Sequence, residues 1–526
     1  MWTILKCFFI IACLGVVELC SESKVVIIEQ GRLRGFRYSD GNYFAFMSAP
    51  LPPPVWMQTF DAYETDCLIA NIFVPDTNAT NLPVMVHIHG GAFVITSGDY
   101  FRYTELIDSK KTIVVTFNYR LGVHGFLCLR TKDVPGNAGM KDQIALLRWV
   151  QRNIAGFSGN PNDVTLIGCS AGGSAVDFLS LSPMATGLFH KVIIEGGSCL
   201  GTNGVQIDPI KNAKIYAKLL NFTDVDNLTA LEEFYKTASF ELLTSETDEI
   251  IYRADCTALF NPCVEKNLGT AEEMFLSESP LNTLKNGKYT KRPILYGYSE
   301  AEGLNKIPLF EQFHKKMNEK FADFLPGNLQ FSSEDEKKEV AEIVKEFYFG
   351  NKPVSVETII NYTNYFSDVM FICPMLRSIE MRLKSGNETA FLFEYSFVDE
   401  YTDTIPFTNV QKAGHCSHID AIMDHVSTNK TKQWQALQRT MREMCLNFIT
   451  TGRPVSEDSS LPPWPPVRSS WSPHMAFNNA TPELKSSLYL EGRATFWNQI
   501  YEKYGTWRTG SIGTRTRTIP AAPILA

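Results

Sequence analysis

The alternation of apolar and polar positions is most regular between Val84 and about Gly204. Val84-Met85-Val86-His87-Ile88-His89 is a short apolar run ended by Gly90-Gly91. Thr112 to Phe117 is rich in β-branched residues and reads as a second strand. Asp163 to Ile167 is a third, and Lys191-Val192-Ile193-Ile194 a fourth. Between them, Gln143 to Ile154 sets Ile144, Leu147 and Val150 at helical spacing, with Trp149 beside them. Short apolar strands alternating with helices predict an α/β fold. Its central, mostly parallel twisted sheet is flanked by helices on both faces.

Further along, the pattern turns helical, as insertions into such a fold would. Phe310 to Phe324 and Glu334 to Tyr348 are amphipathic, with Lys and Glu on the outer face. Gln433 to Thr450 reads as a helix stopped by Gly452-Arg453-Pro454. Lys291 to Gly297 and Ala390 to Tyr395 read as further buried strands. Leu461 to Trp471 is Pro- and Trp-rich without repetition and reads as an ordered loop. Residues 508–526, Gly/Thr/Arg/Pro-rich from Gly510, read as a flexible tail. There is no internal repeat.

Composition adds bounds. The 526 residues are 44% hydrophobic and 20% charged, ample for a large core. A net charge of -8 gives no electrostatic reason to bind nucleic acid or an anionic membrane. Lys6 followed by the apolar run Phe8 to Val17 reads as a signal peptide over residues 1–20, too short to span a bilayer. The apolar C-terminal residues 519–526 are too short and Pro-broken for a span or lipid-anchor signal. Asn78, Asn221, Asn227, Asn361, Asn387, Asn429 and Asn479 each stand in an N-x-Thr sequon, which fits a secreted, extracellular glycoprotein.

Of the 12 cysteines, Cys7, Cys13 and Cys20 leave with the signal, and the remaining nine are an odd set. Cys256 and Cys263 are close enough in sequence for a small local disulfide. Cys128, Cys169, Cys199 and Cys373 sit in apolar contexts and read as buried free thiols. No Cys or His cluster has metal-ligand spacing.

The candidate chemistry centres on Gly168-Cys169-Ser170-Ala171-Gly172-Gly173, a G-x-S-x-G between a strand and a helix. Such a turn lifts the serine hydroxyl clear of the sheet at a helix N-terminus, and its glycines let strand and helix approach closely. A serine nucleophile needs a base, and the base an orienting acid, in the chain order Ser, acid, His. The candidate bases are His314, His415, His418, His425 and His474. His314 reads as solvated on its charged helix, His425 adjoins a sequon and His474 lies in the Pro-rich loop. His415, after Ala413-Gly414, and His418 are the close rivals. Glu302 follows the Arg292–Gly297 strand, at a sheet's C-terminal edge. Glu300 is the alternative acid, reading rather as a solvated loop carboxylate. Backbone donors for an oxyanion come from Ala171 and from His89-Gly90-Gly91-Ala92-Phe93.

These motifs resemble the type-B carboxylesterase/cholinesterase family, its insect carboxylesterases in particular. The resemblance runs over most of the chain. It is carried by Glu64 to Leu68, Asn71 to Pro75, His89 to Phe93, Asn118-Tyr119-Arg120-Leu121-Gly122 and Gly136-Asn137-Ala138-Gly139. It continues through Lys141-Asp142-Gln143, Leu147-Arg148-Trp149-Val150, Gly168 to Gly173, Leu188 to Lys191, Glu302-Gly303 and Gly414-His415. It implies an α/β-hydrolase domain over residues 21–507 that hydrolyses small-molecule carboxylic esters without cofactor or metal, in a deep apolar gorge. It implies Ser170 as nucleophile, Glu302 as acid, His415 as base, and Gly91, Ala92 and Ala171 as oxyanion donors. Two departures stand out. Cys169 replaces the family's usual glutamate before the nucleophile, which would lower the rate without removing the triad. The stretch between residues 48 and 67 is also short by roughly forty residues. That would remove a sheet edge, one gorge wall and the loop bearing a disulfide partner for Cys67.

Two other readings compete with ester hydrolysis. One is a non-catalytic adhesion or binding relative on the same fold. Such relatives usually lack triad residues and often carry a membrane tether, whereas this chain keeps all three and shows no tether. The other is an esterase inactivated by its shortened N-terminal region.

Overall fold

A computed structural model of the chain describes residues 22–38, 41–50, 67–269, 273–386, 388–424, 431–457, 459, 461–468 and 471–506. The signal segment, the stretch 51–66, His425, Asn387, Asn429 and the tail lie outside the described residues.

The strands are β1 Ser23–Ile28, β2 Gly31–Arg37, β3 Tyr43–Pro50, β4 Ile69–Pro75, β5 Leu82–Ile88 and β6 Ile113–Phe117. They continue as β7 Gly159–Cys169, β8 Lys191–Glu195, β9 Ile294–Ser299, β10 Ala390–Tyr395, β11 His474–Phe477 and β12 Glu483–Lys485. All twelve form one sheet in the order β1-β2-β3-β4-β6-β5-β7-β8-β9-β10-β11-β12. The central run from β6 to β11 is parallel, and the outer strands are antiparallel. β5, β7 and β8 thus lie mid-sheet, where both faces are buried and an unbroken apolar run is the stable sequence.

The two faces divide the side chains of β5. Val84, Val86 and Ile88 join one core with Trp149, Ile144 and Val176. Met85 points the other way, into a core with Val114, Ile167, Met441, Met444 and Phe448. Helix α1 Ala138–Asn153 and helix α2 Ala171–Leu181 serve the first core. A third apolar cluster lies among the inserted helices. These include α3 Phe310–Glu319, α4 Glu334–Phe349, α5 Cys373–Lys384 and α7 Glu491–Tyr504, while α6 Lys432–Thr451 lies over the sheet. Helix α6 covers the second core. Thr431 caps its start by accepting from the Trp434 amide, and Gly452 ends it at φ 74°.

Three expectations are corrected. The helix predicted over Phe310 to Phe324 ends at Glu319, because Phe321, Ala322 and Phe324 turn inward as a separate 3-10 turn. His474 lies on β11, buried beside β10, rather than in a loop. The sheet edge expected to be lost is present, because β1, β2 and β3 are built from residues upstream of residue 51. Its outermost strands leave Val25, Ile27 and Phe36 exposed.

Candidate active site

Strand β7 ends at Cys169, and α2 begins at Ala171. Ser170, between them, has φ 61° and ψ -128°, a conformation rare for an L-residue. Its amide donates to the Glu195 carbonyl at the end of β8 (2.9 Å). The helix departs so close to β5 that a Cβ on Gly172 would lie 2.1 Å from the Ile88 carbonyl oxygen. The glycines of the motif are therefore steric requirements, and the strained serine is held from both sides.

Ser170 Oγ lies 2.8 Å from His415 Nε2, and His415 Nδ1 lies 2.5 Å from Glu302 Oε2. Glu302 is fully buried, and its other oxygen accepts from the Ser299 amide (2.7 Å). A carboxylate only accepts, so Nδ1 carries the imidazole proton and Nε2 is free to accept the serine hydroxyl. The loop bearing His415 meets the loop bearing Glu302 through a bridge between Ala301 and Gly414, closed by the Ala301 amide on the Ala413 carbonyl (3.0 Å). Phe371 covers the His415 ring at 4.2 Å between centroids.

The loop after β5 faces the serine. Gly91, Ala92 and Phe93 all have positive φ, at 97°, 57° and 62°. Among the described residues, the amides of Gly91, Ala92 and Ala171 donate to no protein acceptor. Tyr119 pins the loop by donating to the His89 carbonyl (2.8 Å) and stacking on its ring. Burial pushes His89 down to about 4, so it is neutral and plays a packing part. The next residue, Arg120, makes a buried bidentate pair with Asp142 of α1, both bonds at 2.8 Å. The motifs Asn118–Gly122 and Lys141–Gln143 are thus the frame of this loop.

The rival candidates fall elsewhere. His418 is fully buried behind Ser170, with Nδ1 3.1 Å from Ser299 Oγ and Nε2 3.6 Å from Glu195 Oε1. Burial opposes its charge, but the carboxylates around it, Glu195 foremost with Glu302 and Asp420, together outweigh that and raise its pKa. Glu300 is a half-buried loop carboxylate that pairs with Lys412 at 2.7 Å rather than with His415. His314 is partly covered, its Nδ1 2.7 Å from the Phe310 carbonyl of its own helix. A cleft of about 840 Å³ lined by Arg253, Asp255, Asp323, Phe331 and Lys337 includes none of Ser170, Glu302 and His415.

The cysteines need two corrections. Cys169 is not a free thiol but forms a disulfide with Cys416, 6.3 Å away between Cα atoms. Each flanks a residue of the Ser170–His415 contact, so the fold that brings those two together also brings their neighbours together. Cys256 and Cys263 are not joined. Cys256 packs among the inserted helices, whereas Cys263 faces Cys128 across Gly136 and belongs to the Asn137 network. Cys128, Cys199 and Cys373 are buried thiols as expected. Neither the disulfide nor the Glu195–His418 pair is legible beforehand. The one signal is the matched placement of Cys169 before the serine and Cys416 after the histidine.

Among the described residues, no group of three His, Cys, Asp or Glu is placed to hold a metal ion. No helix there is long and apolar enough to cross a membrane.

A mostly parallel sheet with a strained serine on the turn from β7 into a helix is the α/β-hydrolase architecture. The carboxylesterase family model matches residues 48–497, and the chain belongs to that family. It is a carboxylic ester hydrolase acting on small-molecule esters. The chain is 30% identical over 407 residues to a carboxylic ester hydrolase of Bombus ignitus, covering 75% of this chain and 72% of that one. It is 28% identical over 521 residues to the juvenile hormone esterase of Heliothis virescens, covering 87% and 91%. The crystal structure of juvenile hormone esterase from Manduca sexta, with OTFP covalently attached, superposes with a TM-score of 0.78 at 27% identity, covering 91% of this chain and all of that one.

Proposed function

We propose that Ser170 is the nucleophile of an acyl-enzyme mechanism, with His415 as general base and Glu302 as the acid that orients it. The observation that carries this reading is the continuous hydrogen-bond chain from Ser170 Oγ through His415 to buried Glu302. Ser170 Oγ attacks the ester carbonyl carbon while His415 Nε2 takes the hydroxyl proton. The carbonyl oxygen becomes an oxyanion facing the amides of Gly91, Ala92 and Ala171, where the start of α2 adds a favourable dipole. Collapse breaks the ester C–O bond, and His415 returns the proton to the leaving alcohol. Water then attacks the acyl-serine by the same steps, releasing the acid.

The test is hydrolysis of a short p-nitrophenyl or naphthyl ester by wild type and Ser170→Ala. The variant should lose about 10⁴-fold or more in kcat. Undiminished hydrolysis would sink the assignment. Organophosphate labelling followed by peptide mass mapping should place the adduct on Ser170.

Secretion is the second part of the reading. Asn78, Asn221, Asn227 and Asn479 are exposed, as glycan acceptors must be. Asn361 is half-buried, and its Nδ2 donates to the Tyr348 carbonyl (2.7 Å). Protein from the medium of expressing insect cells should therefore lack residues 1–20. Glycosidase treatment should lower its mass, with glycan at the four exposed sequons and none at Asn361. Retention inside the cells with an intact N-terminus would overturn this part.

A further inference from the structure

The contact between Ser170 and His415 is the hydrogen bond that the proposed chemistry must break and remake in every turnover. Ser170 is held in mid-sheet: it follows β7, whose last residue Cys169 is paired with Glu195, and its own amide donates to the Glu195 carbonyl. His415 stands on a half-buried loop that Gly414 bridges to Ala301 on the upstream side and that buried His418, 3.1 Å from Ser299 Oγ, anchors three residues downstream. Directly downstream, Cys416 takes φ 59°, a left-handed conformation uncommon for a residue with a side chain. Its sulfur lies 3.7 Å from His415 Nε2 and is bonded to Cys169.

We infer that the Cys169–Cys416 disulfide is a positioning device for catalysis, tying the histidine loop covalently to the rigid strand that carries the nucleophile. The inference rests on the triad reading above. The bond spans 247 residues of sequence yet joins the immediate neighbours of the two groups that exchange the proton. It holds the loop at the residue next to the imidazole, between the Ala301–Gly414 bridge and the anchor at His418, and it alone ties that residue to the strand of the nucleophile, so the imidazole is fixed while its bond to the serine is open. Cys169 and Cys416 are thus positioning residues, and they touch no reacting atom of the substrate. Opening the bond also leaves a Cys416 thiol beside Nε2, able to compete with Ser170 for it.

Two routes test this on the full chain. In the first, a water-soluble trialkylphosphine reduces the native enzyme. The S–S bond breaks, the phosphine takes oxygen from water to become its oxide, and the two thiols take the two protons. Maleimide mass mapping verifies that both cysteines are free. In the second, the double variant Cys169→Ala, Cys416→Ala removes the bond and the competing thiol together. In both, kcat should fall about ten- to a hundred-fold, as for a misplaced catalytic group, with KM unchanged. Reoxidation by oxidised glutathione, which is itself reduced to two thiols, should restore kcat in the first route only. A merely structural bond would lower the melting temperature and leave kcat intact while the protein stays folded. An unchanged kcat in the reduced native enzyme overturns the inference, as does finding both thiols free before any reductant is added. If the native bond resists the phosphine, an unchanged kcat in the double variant overturns it. If the double variant does not fold, the reduced native enzyme decides. Failure of the triad reading shows separately, as hydrolysis that survives Ser170→Ala.

Discussion

The residues around Ser170 divide by what surrounds them rather than by type. Glu302 and Glu195 are both fully buried carboxylates. Glu302 accepts from an amide and from His415, whereas neither carboxylate oxygen of Glu195 has a hydrogen-bond partner and its nearest cation is His418. Glu302→Gln keeps the volume but ends the preference for the tautomer with Nδ1 protonated. It should lower kcat by about 10⁴-fold, measured on the same esters. The Glu195–His418 pair should instead make stability depend on pH. A raised imidazole pKa contributes stability that is full below about pH 6.5, the unfolded value, and is lost as the pH rises through the folded value. Glu195→Gln should therefore lower the melting temperature most near pH 6, with the gap to wild type narrowing at about pH 9. A gap independent of pH would show that the pair is not charged in the fold. His415 and His418 stand three residues apart; the resemblance singles out the first, and the tertiary surroundings bring it to Ser170 while burying the second.

Among elements, those with strong local signals were legible. Strands β5 to β8, α4 and α6 fall where periodicity and caps put them, and α1 lies where expected but begins five residues earlier, at Ala138 rather than Gln143, because mid-sheet strands and amphipathic helices write their burial into the sequence. The antiparallel flank β1–β3, the strand β11 and the break after α3 did not, because edge strands alternate weakly and Pro-rich surroundings hide short strands. At the β7–α2 turn, the glycines were legible as a motif and their cause is now visible. Gly172→Ala places a methyl 2.1 Å from the Ile88 oxygen, so β5 and α2 must separate. The substitution should destabilise the fold by about 1–3 kcal/mol by urea titration. It should also reduce kcat, because the loop proposed to bind the oxyanion follows directly from β5.

At the scale of the whole molecule, buried charges fasten the helical insertions to one another and to helix α2, which flanks the sheet. Arg382 of α5, fully buried, pairs with Asp177 of α2 (2.6 Å) and with Glu388 (3.3 Å). Arg493 of α7 pairs with buried Asp368 at 2.6 Å through two nitrogens. Removing one partner leaves a buried charge uncompensated. Arg382→Met should cost about 3–5 kcal/mol in urea unfolding, with Arg382→Met, Asp177→Leu costing less than the single change because the stranded carboxylate goes too. Equal costs would mean that Asp177 is satisfied without the arginine.

The sequence by itself determined the class of fold, the nucleophile motif and the chain order of serine, acid and histidine candidates. Those follow from local requirements: apolar strands that must be covered, a turn that tolerates only glycine, and backbone amides beside small residues. The resemblance pointed to His415, and the tertiary structure brings it to Ser170; the tertiary structure alone decided that Glu300 pairs with Lys412, that Cys169 joins Cys416 and that Cys256 and Cys263 stay apart. Such choices depend on which distant segments the sheet order brings within a few ångströms of one another, and spacing along a chain carries no record of that.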